Sequence, residues 1–477
     1  LCDFYELTMG NGYFAAGYKD RICYFDVFFR RCPDGGGFAV AAGLEQVVDY
    51  IQNLHFSKED IDYLRGKKLF SEEFLEYLEN FKFTGDIWAV PEGTPVFPKE
   101  PILTVRAKAI EAQLIETYVL LALNHQSLIA TKANRVVRAA EGRVVLEFGS
   151  RRAQGADAAI LGARAAYIGG CHGTACTISD EKYGVPAGGT MAHAWVQMFD
   201  SEYEAFKTYC ELYPTNATLL VDTYNTLKSG VPNAIRVFKE MRREKILNGR
   251  YGIRLDSGDL AYLSKEARKM LDAAGFHDAI ISASSDLDEY LIDSLKTQGA
   301  KITSWGVGTN LITSKDCPAF GGVYKLAAIK TGDGEFVPKI KLSENTEKIT
   351  NPGNKTIYRI YEKANHKLKA DLICLVDDVF DDSKDLVIFD PQATWKKTHL
   401  KGGTYFMKEL MVQIFDKGNC VYQSPAVMDI REHCIEEQNT LWDETKRLVN
   451  PHEVYVDLSN RLYEMKVELL NKMHPGD

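Results

Sequence analysis

Several short segments of this chain set charged or aromatic side chains beside glycine, a combination suited to small anionic ligands. Arg254-Leu255-Asp256-Ser257-Gly258-Asp259 places an arginine and two aspartates around a glycine. At a strand-to-helix junction, free backbone N–H groups can take an anion and the glycine lets the backbone approach it. An aspartate facing that point suits sugar hydroxyls or a magnesium-bound phosphate. The same residues also read as a capped turn with Ser257 or Asp259 as N-cap. Trp305-Gly306-Val307-Gly308-Thr309-Asn310 is a second glycine loop. It lacks both G-x-G-x-x-G and the P-loop lysine, so it reads as a tight turn or a phosphate contact. Phe148-Gly149-Ser150-Arg151-Arg152 offers an aromatic face beside two guanidiniums, able to hold a flat ring and neutralise a carboxylate or phosphate. Gly188-Gly189-Thr190-Met191-Ala192-His193 puts a histidine just beyond a flexible turn, in either a structural or a catalytic role. Cys171-His172 with Cys176 is the one cluster resembling metal ligands. Four ligands at finger-like spacing are absent, so these read as buried small residues lining a barrel.

The elements that must position these residues follow a strand–helix rhythm. Val144 to Phe148 is a short apolar run of the kind a buried parallel strand needs, and Leu219 to Val221, Ile253 to Leu255, Ile280-Ile281 and Ile302 to Trp305 read as further strands. Between them, Gly155 to Tyr167, Asn233 to Lys245, the segment containing Leu260, Leu263, Ala267, Met270 and Leu271, and Asp288 to Leu295 read as helices. Gly169-Gly170 and Gly275 act as stops. Strands at intervals of roughly 20 to 35 residues with amphipathic helices between them indicate a parallel α/β sheet or barrel. Each chemistry-bearing segment sits just after a strand, and in a barrel those ends meet at one face; in a doubly wound sheet they line a crevice. The expected division is residues 1–128 as an α+β domain, 129–340 as the α/β barrel carrying the site, and 341–477 as a partly helical extension. Within the last, Glu432 to Lys446 and Leu458 to Met473 read as helices.

With 477 residues the chain exceeds one ordinary core. Its 45% hydrophobic and 26% charged content is that of a globular domain protein, and a net charge of -9 argues against nucleic acid as the main partner. No run of about 18 apolar residues is present, so no membrane span is expected. The start, Leu1-Cys2-Asp3-Phe4-Tyr5, has no basic stretch ahead of an apolar one, which predicts no signal peptide. Lacking Met, it is expected to begin a few residues into the natural protein. Ten scattered cysteines without a C-x-x-C pair suit reduced thiols in a cytosol.

Taken in order, these segments resemble one family. Asp3-Phe4-Tyr5-Glu6-Leu7-Thr8-Met9 is similar to the D-x-Y-x-L-T-M opening of nicotinate phosphoribosyltransferases. The similarity continues through Glu147 to Arg152, Gly189 to His193, Val221 to Tyr224, Arg254 to Asp259, Ser285 to Glu289, Gly306 to Thr309 and Gly321 to Lys325. The resemblance implies a type II phosphoribosyltransferase with an amino-terminal α+β domain, an irregular (β/α) barrel and a carboxy-terminal extension, working as a cytoplasmic homodimer. It implies coupling of nicotinate and phosphoribosyl pyrophosphate to nicotinate mononucleotide and pyrophosphate, in the Preiss-Handler route of NAD salvage. ATP and Mg²⁺ assist, the latter carried by the phosphates. By motif, His193 is the phosphorylated histidine. Tyr5, Phe148, Arg151, Thr190 and Arg254 contact nicotinate. Asp222, Asp256 and Asp286 hold ribose hydroxyls and magnesium-pyrophosphate, with Asp256 also counted as catalytic. Gly306, Gly308 and Thr309 take the 5′-phosphate.

One position departs from a relative. Gly173-Thr174-Ala175 aligns where the nicotinamide-using enzyme carries Gly-Thr-Asp, and a carboxylate there would repel nicotinate. Cys176 to Asp180 also differs from the T-S-N usual in the nicotinate enzymes. The alternatives are a related enzyme acting on nicotinamide or quinolinate, and a non-catalytic α/β-barrel binding protein; the second would release no pyrophosphate.

Overall fold

The apolar runs in the middle of the chain build a single parallel sheet. The structure, a computed structural model, describes residues 1–331, 334–345 and 348–473. Across the sheet the order is Gly173–Thr174, Val144–Glu147, Ser304–Val307, Ile280–Ser285, Arg250–Leu255 and Asn216–Leu220. Every neighbour pair is parallel, and register is continuous: Val307 opposite Glu147, Ser285 opposite Val307, Leu255 opposite Ala283, Leu220 opposite Arg254. Val145, Leu219, Leu220, Ile253, Leu255, Ile281, Ala283, Trp305 and Val307 are fully buried, as expected of strands with both faces covered. The end strands do not pair with each other, so the sheet is an open, irregular half-barrel.

The connecting helices are Ala156–Ile168, Val231–Arg243, Leu260–Ala273 and Glu289–Thr297. Asp259 and Asp288 cap the last two through side-chain oxygens that accept from Tyr262 and Leu291 N–H groups. In Leu260–Ala273 the buried stripe is Leu260, Ala261, Ser264, Ala267 and Leu271, while Leu263 and Met270 are half-buried. Ser264 joins the stripe because its hydroxyl donates to the Ala261 carbonyl and accepts from the Lys301 N–H at 3.1 Å. At the sheet's edge, Cys171 is buried and its carbonyl accepts from Arg431 Nε, while the Val145 N–H donates to His172 Nδ1. Among the described residues no group of three or more His, Cys, Asp or Glu is placed to hold a metal.

Two compact units emerge: residues 129–318 with 426–431, and residues 1–128 with 319–425 and 432–477. The latter holds a seven-stranded antiparallel sheet in the order Phe336–Pro338, Gly322–Lys330, Ile22–Phe29, Leu103–Lys108, Asp86–Ala89, Val412–Asp416, Asn419–Cys420. A four-stranded sheet, Tyr405–Glu409, Lys355–Glu362, Leu368–Leu375 and Tyr455–Leu458, belongs to the same unit. The expected barrel limit at residue 340 therefore differs from the observed one. Gly322–Lys330 pairs along its length with Ile22–Phe29, and the main stretch of the parallel sheet's unit ends at Pro318. Of the expected 341–477 extension, residues 346–347 and 474–477 lie outside the described residues. Its helices run Val427–Thr440 and Asn460–Met473. The first starts just after Pro425, earlier than the sequence pattern suggested, since the residue preceding a proline resists helical geometry and the helix follows it. No described helix is long and apolar enough to cross a membrane.

Candidate active site

Parallel strands of one polarity bring all their carboxyl ends to one edge, and here that edge frames a cleft of about 440 Å³. Phe148, Ala175, Asp256, Asp286, Gly308 and Thr309 reach it from the first residues after their strands. Arg254 and Gly306 reach it from within theirs, and Arg151, Thr190 and His193 from loops or helix starts. Asp222 and Tyr5 are the two expected site residues outside this lining. Asp222 lies beneath the Asp256 turn, where its Oδ2 accepts from the Asp256 N–H at 2.9 Å and from Ser257 Oγ at 2.7 Å. Tyr5 belongs to the other unit, on the helix Phe4–Ala15, and is exposed.

The two cationic side chains expected around the base are in different electrostatic situations. Arg254 donates through Nε to Ser284 Oγ at 2.9 Å and through Nη1 to Thr190 Oγ1 at 2.8 Å and the Met191 carbonyl at 3.2 Å. Its Nη2 stands 3.5 Å from Asp256 Oδ1. Most of its donor capacity is spent holding the cleft walls together. Arg151, on the short turn Ser150–Arg152, is exposed, and its guanidinium has no partner among the described residues. It is therefore a cation with donors to offer a ligand.

His193 begins the short helix His193–Gln197. Its Nδ1 is 3.1 Å from Thr223 Oγ1, and its Nε2 is 3.7 Å from Asp256 Oδ2. One ring nitrogen is thus engaged by a hydroxyl and the other faces a carboxylate. Asp256 also accepts from Ser284 Oγ, so Asp256, Ser284, Arg254 and Thr190 form one connected polar set. Gly188 and Gly189 ahead of the histidine have open space where a side chain would stand.

Gly306 is required for a different reason. A Cβ there would stand 2.5 Å from the Phe148 ring, so the missing side chain is what lets that ring lie where it does. Beneath Phe148, the buried Glu147 carboxylate accepts from the Gly149 N–H and from Thr174 Oγ1, tying the Phe148 loop to the Ala175 loop. Burial pushes the Glu147 carboxyl above its usual range.

Ser284, Thr223, Glu147 and Asn310 carry roles that the motif reading did not give them. Ser284 had a detectable signal: it alternates with buried Ala283 and precedes Ser285-Asp286, which places it on the inner face of a strand end. Thr223 sits next to Asp222, but nothing local joins it to a histidine thirty residues earlier.

Family models described as the nicotinate phosphoribosyltransferase N-terminal and C-terminal domains match residues 1–124 and 354–466. The nicotinate phosphoribosyltransferase of Bacillus subtilis is 46% identical over 471 residues, covering 99% of this chain and 95% of that protein. The Dictyostelium discoideum nicotinate phosphoribosyltransferase is 34% identical, covering 97% of this chain and 87% of that protein. The crystal structure of human nicotinic acid phosphoribosyltransferase superposes with a TM-score of 0.84 at 26% identity, covering 98% of this chain and 100% of that one. The chain belongs to the nicotinate phosphoribosyltransferase family.

Proposed function

We propose that the cleft transfers the phosphoribosyl group of phosphoribosyl pyrophosphate to nicotinate, giving nicotinate mononucleotide and pyrophosphate, with ATP consumed through transient phosphorylation of His193. The observation that carries the nicotinate reading is that Arg151, without a partner among the described residues, lines one cleft with Phe148 and Ala175. The flat pyridine lies on Phe148, its carboxylate meets the Arg151 guanidinium, and Ala175 brings no negative charge against it.

In the transfer, the pyridine nitrogen lone pair forms the new bond to ribose C1 while the C1–O bond breaks and its electron pair leaves with pyrophosphate. Positive charge builds on the ribose, so the protein acts by orientation and charge stabilisation. Asp256 and Asp286 accept from the ribose hydroxyls and face the developing cation. These two carboxylates would hold Mg²⁺ arriving with the phosphates, and the ion would supply charge neutralisation of the pyrophosphate. Gly308 and Thr309 receive the 5′-phosphate. Gly306 joins them there by resemblance, and its missing side chain also clears the space for Phe148. Asp222 acts through the Asp256 backbone. Thr190 and Arg254 fix the wall beside the base, and Tyr5 stays a base contact by motif resemblance alone. His193 takes the γ-phosphoryl group of ATP, an N–P bond forming as ADP departs. This couples ATP to substrate affinity, a coupling that is reciprocal at equilibrium. The active site belongs to the unit of residues 129–318, and the enzyme works in the cytoplasm.

Mononucleotide formation from nicotinate, nicotinamide and quinolinate, each with and without ATP, tests this reading. Nicotinate is expected to be strongly preferred and stimulated by ATP. Comparable kcat/KM for nicotinamide would overturn the substrate assignment.

A further inference from the structure

The turn that carries Asp286 is held by residues the mechanism above leaves unused. Ser285 ends the strand Ile280–Ser285 with φ at 138°, a conformation natural to glycine and strained for a residue with a side chain. Such a conformation persists only where the surroundings over-determine it. On the far side, Leu287 is fully buried and its N–H donates to the Ser285 carbonyl at 2.8 Å. Glu289, which starts the following helix, is buried against Lys132 at 2.9 Å and Arg135 at 2.7 Å, anchoring that end to the helix Glu116–Ala139. From the neighbouring loop, Asn310 Nδ2 donates to the carbonyls of both Asp286, at 3.0 Å, and Leu287, at 3.2 Å. Asn310 is itself buried and directly follows Thr309.

We propose that Asn310 is a positioning residue that locks the Asp286 turn to the Gly308-Thr309 loop, so that the Asp286 carboxylate and that loop meet one phosphoribosyl group at a fixed separation. The inference rests on the phosphoribosyl transfer proposed above. Two carbonyl oxygens converge on a single NH₂ group, and removing it leaves both without that donor. The strain at Ser285 then has less to oppose it, and the turn relaxes by rotating Asp286 away from the cleft. Glu289 secures the fold of this region, whereas Asn310 sets the aim of the carboxylate.

The test measures kcat and the KM of each substrate, with melting temperature, for wild type, Asn310→Ala, Ser285→Gly and the double variant. Asn310→Ala is expected to raise the KM for phosphoribosyl pyrophosphate roughly tenfold while the KM for nicotinate stays within about twofold. Against Ser285→Gly, where φ of 138° carries no side-chain penalty, the same substitution should cost less than about threefold. Asn310→Asp, which turns an acceptor toward the two carbonyls, should be worse than Asn310→Ala. If Asn310→Ala fails to fold, Asn310→Ser, which keeps one donor, replaces it in the same comparison with the same criteria. Equal changes in both KM values, or the same loss in both Ser285 backgrounds, overturn the positioning role while leaving the transfer reaction standing. A wild-type chain that makes no mononucleotide overturns the reaction and the inference together.

Discussion

Replacing Arg151 with alanine separates base recognition from the rest of the site, because its guanidinium has no partner among the described residues. Its removal breaks no internal hydrogen bond, so the melting temperature should stay within about 1 °C, as for a surface substitution. What is lost is a charge-assisted hydrogen bond to the nicotinate carboxylate, worth about 1.5–3 kcal/mol. Arg151 is exposed, and solvent screening puts the effect at the lower end of that range. A loss of about 1.5 kcal/mol corresponds to roughly tenfold in kcat/KM. Nicotinamide carries no charge for the guanidinium to meet, so its kcat/KM should fall less than about twofold, and the preference for the acid should shrink by the same tenfold. Initial rates with each base at saturating phosphoribosyl pyrophosphate give the comparison. Arg254→Ala is the informative contrast: that side chain holds Ser284, Thr190 and Met191, so its loss should lower both the melting temperature and turnover with either base. An equal loss for both bases in Arg151→Ala, or none for nicotinate, would refute the placement of the carboxylate at Arg151.

His193→Ala should abolish an acid-labile, base-stable label from γ-labelled ATP together with ATP hydrolysis, yet still form some mononucleotide at high phosphoribosyl pyrophosphate; full ATP-stimulated turnover in this variant would return His193 to a structural role. Asp256→Asn should cut turnover at least a hundredfold while costing only about 1 kcal/mol in unfolding free energy, because the carboxylate is partly exposed and its Ser284 and Arg254 contacts are the folded-state interactions weakened. Chemical denaturation beside steady-state rates checks this, and outright unfolding would favour a turn-capping role. Glu6 predicts a pH dependence in the other unit: it is fully buried, and burial raises its carboxyl to about 7. A raised native pKa means the folded state binds the proton more readily, so the stability it contributes is present at low pH and is lost as pH rises through about 7. Relative to Glu6→Gln, the wild-type chain should lose stability between pH 4 and pH 8 in urea melts, and a flat difference would contradict the assignment.

The sequence was informative wherever the determinant was local. The apolar run Leu219 to Val221 is fully buried, as a covered strand requires, and Asp259 and Asp288 mark helix starts through their own side-chain oxygens. Placing reactive residues immediately after such strands brings Phe148, Asp256, Asp286 and Thr309 to one edge of the sheet, since parallel strands share one polarity. Local pattern could not say which sheet a strand joins. Gly322–Lys330 follows the parallel strands in sequence yet pairs with Ile22–Phe29, a choice made by long-range hydrogen bonding and burial. The same limit applies within the site. Residue type alone does not distinguish Arg151, without a partner among the described residues, from an engaged Arg254, or Asp256 in the cleft from Asp222 beneath it. The hydroxyl of Thr223 on His193, the space at Gly306 that Phe148 needs, and the Asn310 grip on the Asp286 turn each join residues from separate loops. Chemistry at the strand ends was written in the sequence because it depends on residue type and strand direction. Who pairs with whom was decided only in the folded chain, because hydrogen bonds and excluded volume act between atoms that the sequence leaves far apart.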